Sequence, residues 1–495
     1  MKLTILGGAG VRTPAFVQGI LKASSDLGVD EVHLTDSDAD KLHLIGFIVR
    51  EMVARAGDPF RLNLSTDARE ALVDADFVVS ALRVGGLEGR AIDEAVALRH
   101  GVIGQETTGP GGICMGLRTI PVMLDYAKLI AELAPKAWLI NFTNPSGMIT
   151  EAILSHGGMN RVVGVCDGPS SMVRRIAAAL GVNESRAYFD YFGLNHLGWL
   201  RGVYVDGEDV LGPMLSRLDE PGVRERLGTL HEISIFGAEF VRELGAIPNE
   251  YLYYYYYNRE ALEHIRRARE RRGQFLLRTT RELLGRLRAA VAKGDAALAL
   301  REYTEYMDTR HRMYMRTETG TDQPDEEAAV QEVTSAETRA EIPRESEQDR
   351  AHDDTDGDGG YDRIALGVMK AVALNSNRVM ILNTRNAGSI KGLDDDVVAE
   401  VPCVVSADGV RPIAVGSIPN ECLGLMQIVK ECEKLTIEAA VTGSYNAAWK
   451  ALALHPLVPS VAAAREILDD YLSAHGRSLS HIRRQGSKRQ GSGGR

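Results

Sequence analysis

The chain has 495 residues, long enough for two domains rather than one core, and its 44% apolar content is that of an ordinary globular protein. Its formal charge, 57 − 68 = −11, argues against a nucleic-acid or membrane-surface partner. Five singly scattered cysteines argue against a disulfide framework and for a reducing cytoplasm. No leader with a cleavage site and no run of about 18 apolar residues is visible, so a cytoplasmic protein is expected.

The first third alternates strand and helix patterns. Residues 3–6 read as a strand, followed by the turn Gly7-Gly8-Ala9-Gly10 and by Pro14, which suits the first turn of a helix. Further short apolar runs at 31–35, 76–82, 137–142 and 161–165 are separated by helical patterns. Such βαβ repetition predicts a Rossmann-like, doubly wound parallel sheet spanning residues 1–189. Each run ends in small or polar residues, and ligands bind at the carboxyl ends of the strands in these sheets. The second half, 190–475, is expected to be a mainly helical α+β catalytic domain, with an alternating strand at 201–206. The acidic stretch 318–360 reads as a solvated loop, with a calcium site at 354–358 as the sharper and disfavoured reading. The basic, Gly/Ser-rich tail 476–495 reads as flexible.

Gly8-x-Gly10 after the first strand, with Gly7 preceding it, forms half of a dinucleotide fingerprint, although Thr13 stands where a third glycine is usual. Asp36 closes the second strand, where a carboxylate can hold both ribose hydroxyls, and this favours NAD over NADP. The bland alternative is a tight turn and a helix-capping acid. Cys166 closes the apolar run Val162-Val163-Gly164-Val165, and His196 sits in Gly193-Leu194-Asn195-His196. A thiolate and an imidazole together can bind a divalent metal and leave coordination positions open to substrate. Either residue alone is more readily a packed thiol or a packed histidine.

The motifs Gly7-Gly8-Ala9-Gly10, Arg83-Val84-Gly85-Gly86, Gly104-Gln105-Glu106-Thr107-Thr108-Gly109, Asn141-Phe142-Thr143-Asn144-Pro145, Cys166-Asp167, Asn195-His196 and Pro248-Asn249-Glu250-Tyr251 occur in a characteristic order. With Gly360-Tyr361-Asp362-Arg363 and Ala453-Leu454-His455-Pro456 further on, the chain resembles glycoside hydrolase family 4 over about residues 1–475. Within the family it most resembles the 6-phospho-β-glucosidases. The resemblance implies a lactate/malate dehydrogenase-like fold, NAD, a divalent metal, usually Mn2+, and a homodimer or homotetramer. It also implies an unusual hydrolysis, an exception to the two-carboxylate scheme. Hydride leaves carbon 3 of the sugar for NAD, a base removes the proton on carbon 2, and the aglycone leaves carbon 1. Water then adds and the hydride returns.

By that resemblance, Cys166 and His196 hold the metal and Tyr251 is the base. Asp167 protonates the leaving oxygen, Arg90, Asn144 and Arg272 bind substrate, Arg83 lies on the cofactor, and Glu106 orients the groups around the metal. Tyr251 must be weighed against the aromatic run 253–257, which reads more readily as packing. Arg272 must be weighed against a solvated helix face, and Asn144 and Asp167 against turn roles. The substrate implied is a phosphorylated disaccharide or aryl glycoside. An α-glycosidase of the same family, an NAD-dependent hydroxy-acid dehydrogenase and a non-catalytic NAD-binding regulator are the alternatives.

Overall fold

The computed structural model describes residues 1–228, 230–320 and 360–484. Among these, the strands are β1 (Lys2–Leu6), β2 (Glu31–Thr35), β3 (Arg61–Ser65), β4 (Phe77–Ser80), β5 (Trp138–Asn141), β6 (Val162–Gly164), β7 (Ala187–Leu194), β8 (Leu197–Val205), β9 (Glu208–Asp209), β10 (Ile247–Pro248), β11 (Arg378–Arg385), β12 (Val398–Ser406) and β13 (Gly409–Pro412). All join one sheet in the order β10-β8-β7-β12-β11-β6-β5-β4-β1-β2-β3, with β13 on β12 and β9 on β8.

The run β3-β2-β1-β4-β5-β6 is parallel throughout. Its crossovers carry the helices α1 (Thr13–Leu27), α2 (Ala39–Arg55), α3 (Ala68–Leu72), α4 (Gly86–Arg99), α5 (Gly109–Leu133) and α6 (Ser146–His156), and α7 (Asp167–Leu180) follows β6. β4, β5 and β6 are buried along their whole length, as strands covered by helices on both faces must be. Val17, Ile20 and Val32 lie in one core layer and Leu117, Ile120 and Leu139 in another. Burying each such side chain contributes about 1.5–3 kcal/mol. Strand order reverses between β1 and β4, which opens a crevice at their carboxyl ends.

Beyond β6 the sheet turns antiparallel. β11 pairs with β6, and β12 pairs with both β11 and β7, so a segment from the last quarter of the chain joins the two halves. The expected strand at 31–35 has the observed bounds, and those at 76–82, 137–142 and 161–165 are shorter in the structure. β3 is absent from the sequence reading because it is a polar edge strand, with Arg61 exposed and the rest half-buried. β11–β13 were likewise unforeseen in a half expected to be mainly helical.

Two segments expected to be mobile are packed over the parts that the structure describes. Residues 316–319 form a helical turn that buries Glu318, so the packed chain extends past 318. The remainder of the acidic stretch, 321–359, including the calcium reading at 354–358, lies outside the described residues. In the basic tail, Leu479 and Ile482 are buried and Arg484 pairs with Asp469 at 2.8 Å. Residues 485–495 lie outside the described residues. Among the described residues, no helix is long and apolar enough to cross a membrane.

Candidate active site

The glycine turn lies where strand order reverses. Gly7 takes φ 86°, a left-handed conformation that glycine adopts without cost. Gly7 and Gly8 donate their N–H groups to the Thr35 carbonyl at 3.0 and 2.9 Å, pulling the loop onto the end of β2. A Cβ on Gly8 would stand 2.8 Å from that of Leu34, so only glycine fits. Asp36 accepts from the Ala9 N–H at 3.2 Å and from the Asp38 N–H at 3.0 Å. Each carboxylate oxygen keeps lone pairs for hydroxyl donors, so loop and acid together fit a dinucleotide.

A cavity of about 480 Å³ opens beside this crevice and is lined by Cys166, Asp167, His196, Tyr251, Asn144 and Glu106, among others. Cys166 caps α7, and its sulfur accepts from the Gly168 N–H at 3.4 Å. Burial raises the thiol, and a bound cation would reverse that by stabilising the thiolate. His196 occupies the two-residue turn between β7 and β8 at φ 64°, a strained conformation for a non-glycine residue. Such strain persists where the surroundings impose it. The hairpin needs glycine on both flanks, since a Cβ on Gly193 would meet the Gly198 Cα at 2.3 Å.

Burial pushes His196 down to about 4, so its ring is neutral at physiological pH. Its Nδ1 lies 2.5 Å from the Thr107 hydroxyl, which itself donates to Gln105 at 2.8 Å. The Thr107 oxygen is therefore the acceptor, the proton sits on Nδ1, and Nε2 keeps its lone pair. This orientation by a neighbouring oxygen is what metal-binding histidines require. Behind the turn, Asn195 donates to Glu400 at 3.3 Å, and Glu400 also receives Tyr191 at 2.9 Å and Asn383 at 2.8 Å.

Tyr251 stacks on His196, with ring centroids 3.8 Å apart and planes 2° from parallel. The Tyr314 hydroxyl lies 2.9 Å from that of Tyr251 and 2.8 Å from Glu250. Donating to the carboxylate, Tyr314 accepts from Tyr251, and the three groups form a chain. Burial, followed by the Glu232 charge, pushes Glu250 up to about 7. Of the tyrosines after it, Tyr254 lines the same cavity with its ring 6.3 Å from that of Tyr251, whereas Tyr253 stacks on Tyr257 at 5.0 Å and Tyr256 accepts from the Trp199 indole at 3.1 Å.

The arginines divide into paired and unpaired groups. Arg83 forms an ion pair with Glu106, and Arg90 binds both Glu94 and Glu106 at 2.9 Å. Burial notwithstanding, Arg83 and Arg90 hold the Glu106 carboxyl far below its usual range. Arg272 starts the helix Arg272–Ala292 and donates to the carbonyls of Met313 and Arg310, each at 3.1 Å. Asp167 meets Arg12 at 3.3 Å. Glu250, Tyr314, Arg12 and Arg310 were not foreseen. Glu250 stands inside a motif that could have revealed it, whereas Arg12, Arg310 and Tyr314 carry no signal at sequence level.

Elsewhere, Asp93, Cys114 and His475 have the spacing of a three-ligand metal site. Arg118 occupies it, with donors 2.6 Å from Asp93, 3.0 Å from the Cys114 sulfur and 3.1 Å from the His475 Nε2. A guanidinium already supplies the cation there.

Fold and site thus describe a nucleotide crevice joined to a polar, thiol- and imidazole-bearing cavity. The chain matches the family 4 glycosyl hydrolase model over residues 2–182 and the model of that family's C-terminal domain over residues 191–458. It belongs to the family 4 glycosyl hydrolases. A probable 6-phospho-beta-glucosidase of Bacillus subtilis is 35% identical over 481 residues, 96% of each chain. A maltose-6'-phosphate glucosidase of Fusobacterium mortiferum is 27% identical over 487 residues, 96% of this chain and 97% of that one. The 6-phospho-beta glucosidase structure from Thermotoga maritima with manganese, NAD+ and glucose-6-phosphate is 30% identical, with a TM-score of 0.75 over 96% of this chain and 98% of that one.

Proposed function

We propose that this chain hydrolyses 6-phospho-β-glucosides to glucose 6-phosphate and the free aglycone, using NAD and a divalent metal, preferably manganese. The observation that carries this reading is the stack of Tyr251 on His196 at 3.8 Å in the cavity that Cys166 also lines. That contact brings a phenol base and a metal-binding imidazole to one point. When bound, NAD and the metal supply reversible hydride acceptance and Lewis-acid polarisation of sugar hydroxyls.

The chain's own residues do the rest. Cys166 sulfur and His196 Nε2 hold the metal. Asp36 and the glycine turn orient the nucleotide. Burial raises the Tyr251 phenol, and a cation held beside it would lower it again, so that Tyr251 as the phenolate takes the proton from carbon 2, with the Tyr314 hydroxyl beside its oxygen and Glu250 beside that of Tyr314. Asp167, in the first turn of α7, protonates the departing oxygen, and Arg272, Arg90 and Asn144 receive the sugar phosphate. Arg83 lies on the cofactor, and Glu106 orients the groups around the metal while also pairing with Arg83 and Arg90. Assembly as a homodimer or homotetramer in the cytoplasm completes the proposal, and light scattering tests the assembly.

The deciding assay uses nitrophenyl glucosides of both anomers, with and without the 6-phosphate, in the presence of NAD, manganese and a thiol reductant. Cleavage of the 6-phospho-β compound is expected. Cleavage of the α anomer alone would move the chain to the family's α-glucosidases. Turnover in heavy water should place deuterium at carbon 2 of the sugar phosphate, and its absence would exclude the elimination route. Asp167→Asn should slow poor leaving groups more than nitrophenolate.

A further inference from the structure

We propose that Arg310 is the residue by which the site selects the 6-phosphate, acting beside Arg272, an assignment that rests on the 6-phosphoglucoside reading above. The argument is one of charge already spoken for and charge still free. Arg90 and Arg83 face two buried carboxylates, Glu94 and Glu106, so their two positive charges are matched. Glu94 also accepts from the Gly273 N–H at 2.7 Å, which fixes it further. A phosphate approaching Arg90 must compete with carboxylates that already hold it.

Arg310 stands in the last turn of the helix Ala296–Arg312 and lines the same cavity. Among the described residues, its side chain has one hydrogen-bond partner, the neutral Tyr306 hydroxyl at 3.3 Å, and no carboxylate. The other charges around it are mostly positive. Burial, then the Arg12 guanidinium, push Arg310 down to about 10 against the opposing effect of Tyr306, with Arg272 adding the smallest part. Arg12 has Asp167 in an ion pair at 3.3 Å, whereas Arg310 makes none among the described residues, and the Glu106 charge that it does feel is already held by Arg83 and Arg90. Arg272 is anchored to the same helix end through the Arg310 main-chain carbonyl at 3.1 Å, and both residues line the one cavity. Glu318 lies close enough to weaken the field of Arg272, and burial raises its carboxyl. A phosphate dianion supplies the missing negative charge, and guanidinium forks match its oxygens.

Two measurements test this on the full-length protein with NAD and manganese. The first compares wild type, Arg310→Gln and Arg310→Lys on p-nitrophenyl 6-phospho-β-glucoside. Loss of a charge-assisted pair should raise KM by roughly 10- to 100-fold in Arg310→Gln while kcat stays within about threefold, and lysine should restore most of KM. An unchanged KM, or a loss confined to kcat, overturns the assignment. The second needs no variant. Phenylglyoxal labelling of wild type, read by peptide mass, should modify Arg310, and glucose 6-phosphate or inorganic phosphate should protect it where glucose does not. Equal labelling with glucose and glucose 6-phosphate overturns the proposal even if Arg310→Gln does not fold. Failure of wild type to cleave the phosphoglucoside, with phosphate protection intact, sinks the hydrolase reading and leaves the anion site standing.

Discussion

The glycine-turn crevice and the cavity lined by Cys166, His196 and Tyr251 lie side by side yet are built by opposite means. The crevice is made by residues 7–38, from backbone amides, one carboxylate and glycines whose absent side chains do the shaping. The cavity draws Cys166 from the cap of α7, His196 from a hairpin, Tyr251 from a short helical turn, Arg310 from the last turn of a helix and Tyr314 from just beyond it. A local site is encoded by spacing, whereas a convergent site is encoded by topology. Substitutions should therefore act through backbone fit in the first and through single side-chain chemistry in the second.

The largest expected effect lies in the cavity. Tyr251→Phe keeps the ring stacked on His196 and removes only the hydroxyl, so kcat should fall by roughly 10²- to 10⁴-fold with NAD affinity unchanged. Steady-state kinetics and a fluorescence titration of NAD separate the two. Normal turnover would move the base to another residue.

Next comes a proton effect on the same side of the molecule. His455 is buried, accepts from the Leu457 N–H through Nδ1 at 3.2 Å, and is pushed down by burial from 6.5 to about 4. The unfolded chain binds a proton near 6.5 that the folded chain refuses. Stability should therefore be full above pH 6.5 and fall as pH drops toward 4, by up to ~3 kcal/mol. Urea unfolding at pH 7.5 and pH 5 should show this drop, and His455→Gln should lessen it.

Smaller still, Thr107→Val removes the oxygen that orients His196 and should weaken manganese binding roughly 10- to 100-fold. Calorimetry with manganese alone measures it, and unaltered binding would detach Thr107 from the metal. The smallest effect concerns exposed ion pairs that link α2 and α4 of the crevice side to the helix Arg272–Ala292. These are Arg288 with Asp40 at 2.5 Å and Arg281 with Glu88 at 2.9 Å. Glu88→Gln should cost under ~1 kcal/mol in urea, because solvent screens such pairs. A larger loss would mean that these bridges, rather than the shared sheet, hold the two regions together.

The same contrast explains what could be read in advance. The first two strands, the glycine turn and Asp36 were legible because each is a short-range pattern. Cys166, His196 and Tyr251 were legible as motifs, and the structure brings them to one cavity. Arg83 pairs with Glu106, a partner that its motif does not name. Spacing locates a guanidinium on a rim but does not reveal which carboxylate will claim it. Arg310 belongs to a helix whose other charged residues look alike in sequence, and only its place in the cavity without an ion pair among the described residues sets it apart. β11 and β12 escaped notice because the strands they pair with lie far upstream.

That distant pairing has a consequence for the order in which the enzyme can be assembled. Asn383 sits opposite Gly164, 219 residues earlier, and Glu400 sits opposite Gly193, 207 residues earlier. As the chain leaves the ribosome, the parallel strands and their glycine turn can associate early, while the hairpin bearing His196 has only β10 beside it and lacks β12, the strand that joins it to the parallel sheet. Closing loops of this length is entropically demanding and slow. The nascent protein can therefore own a finished nucleotide crevice well before Cys166 and His196 are held in one sheet, and competence for chemistry arrives only with the last quarter of synthesis.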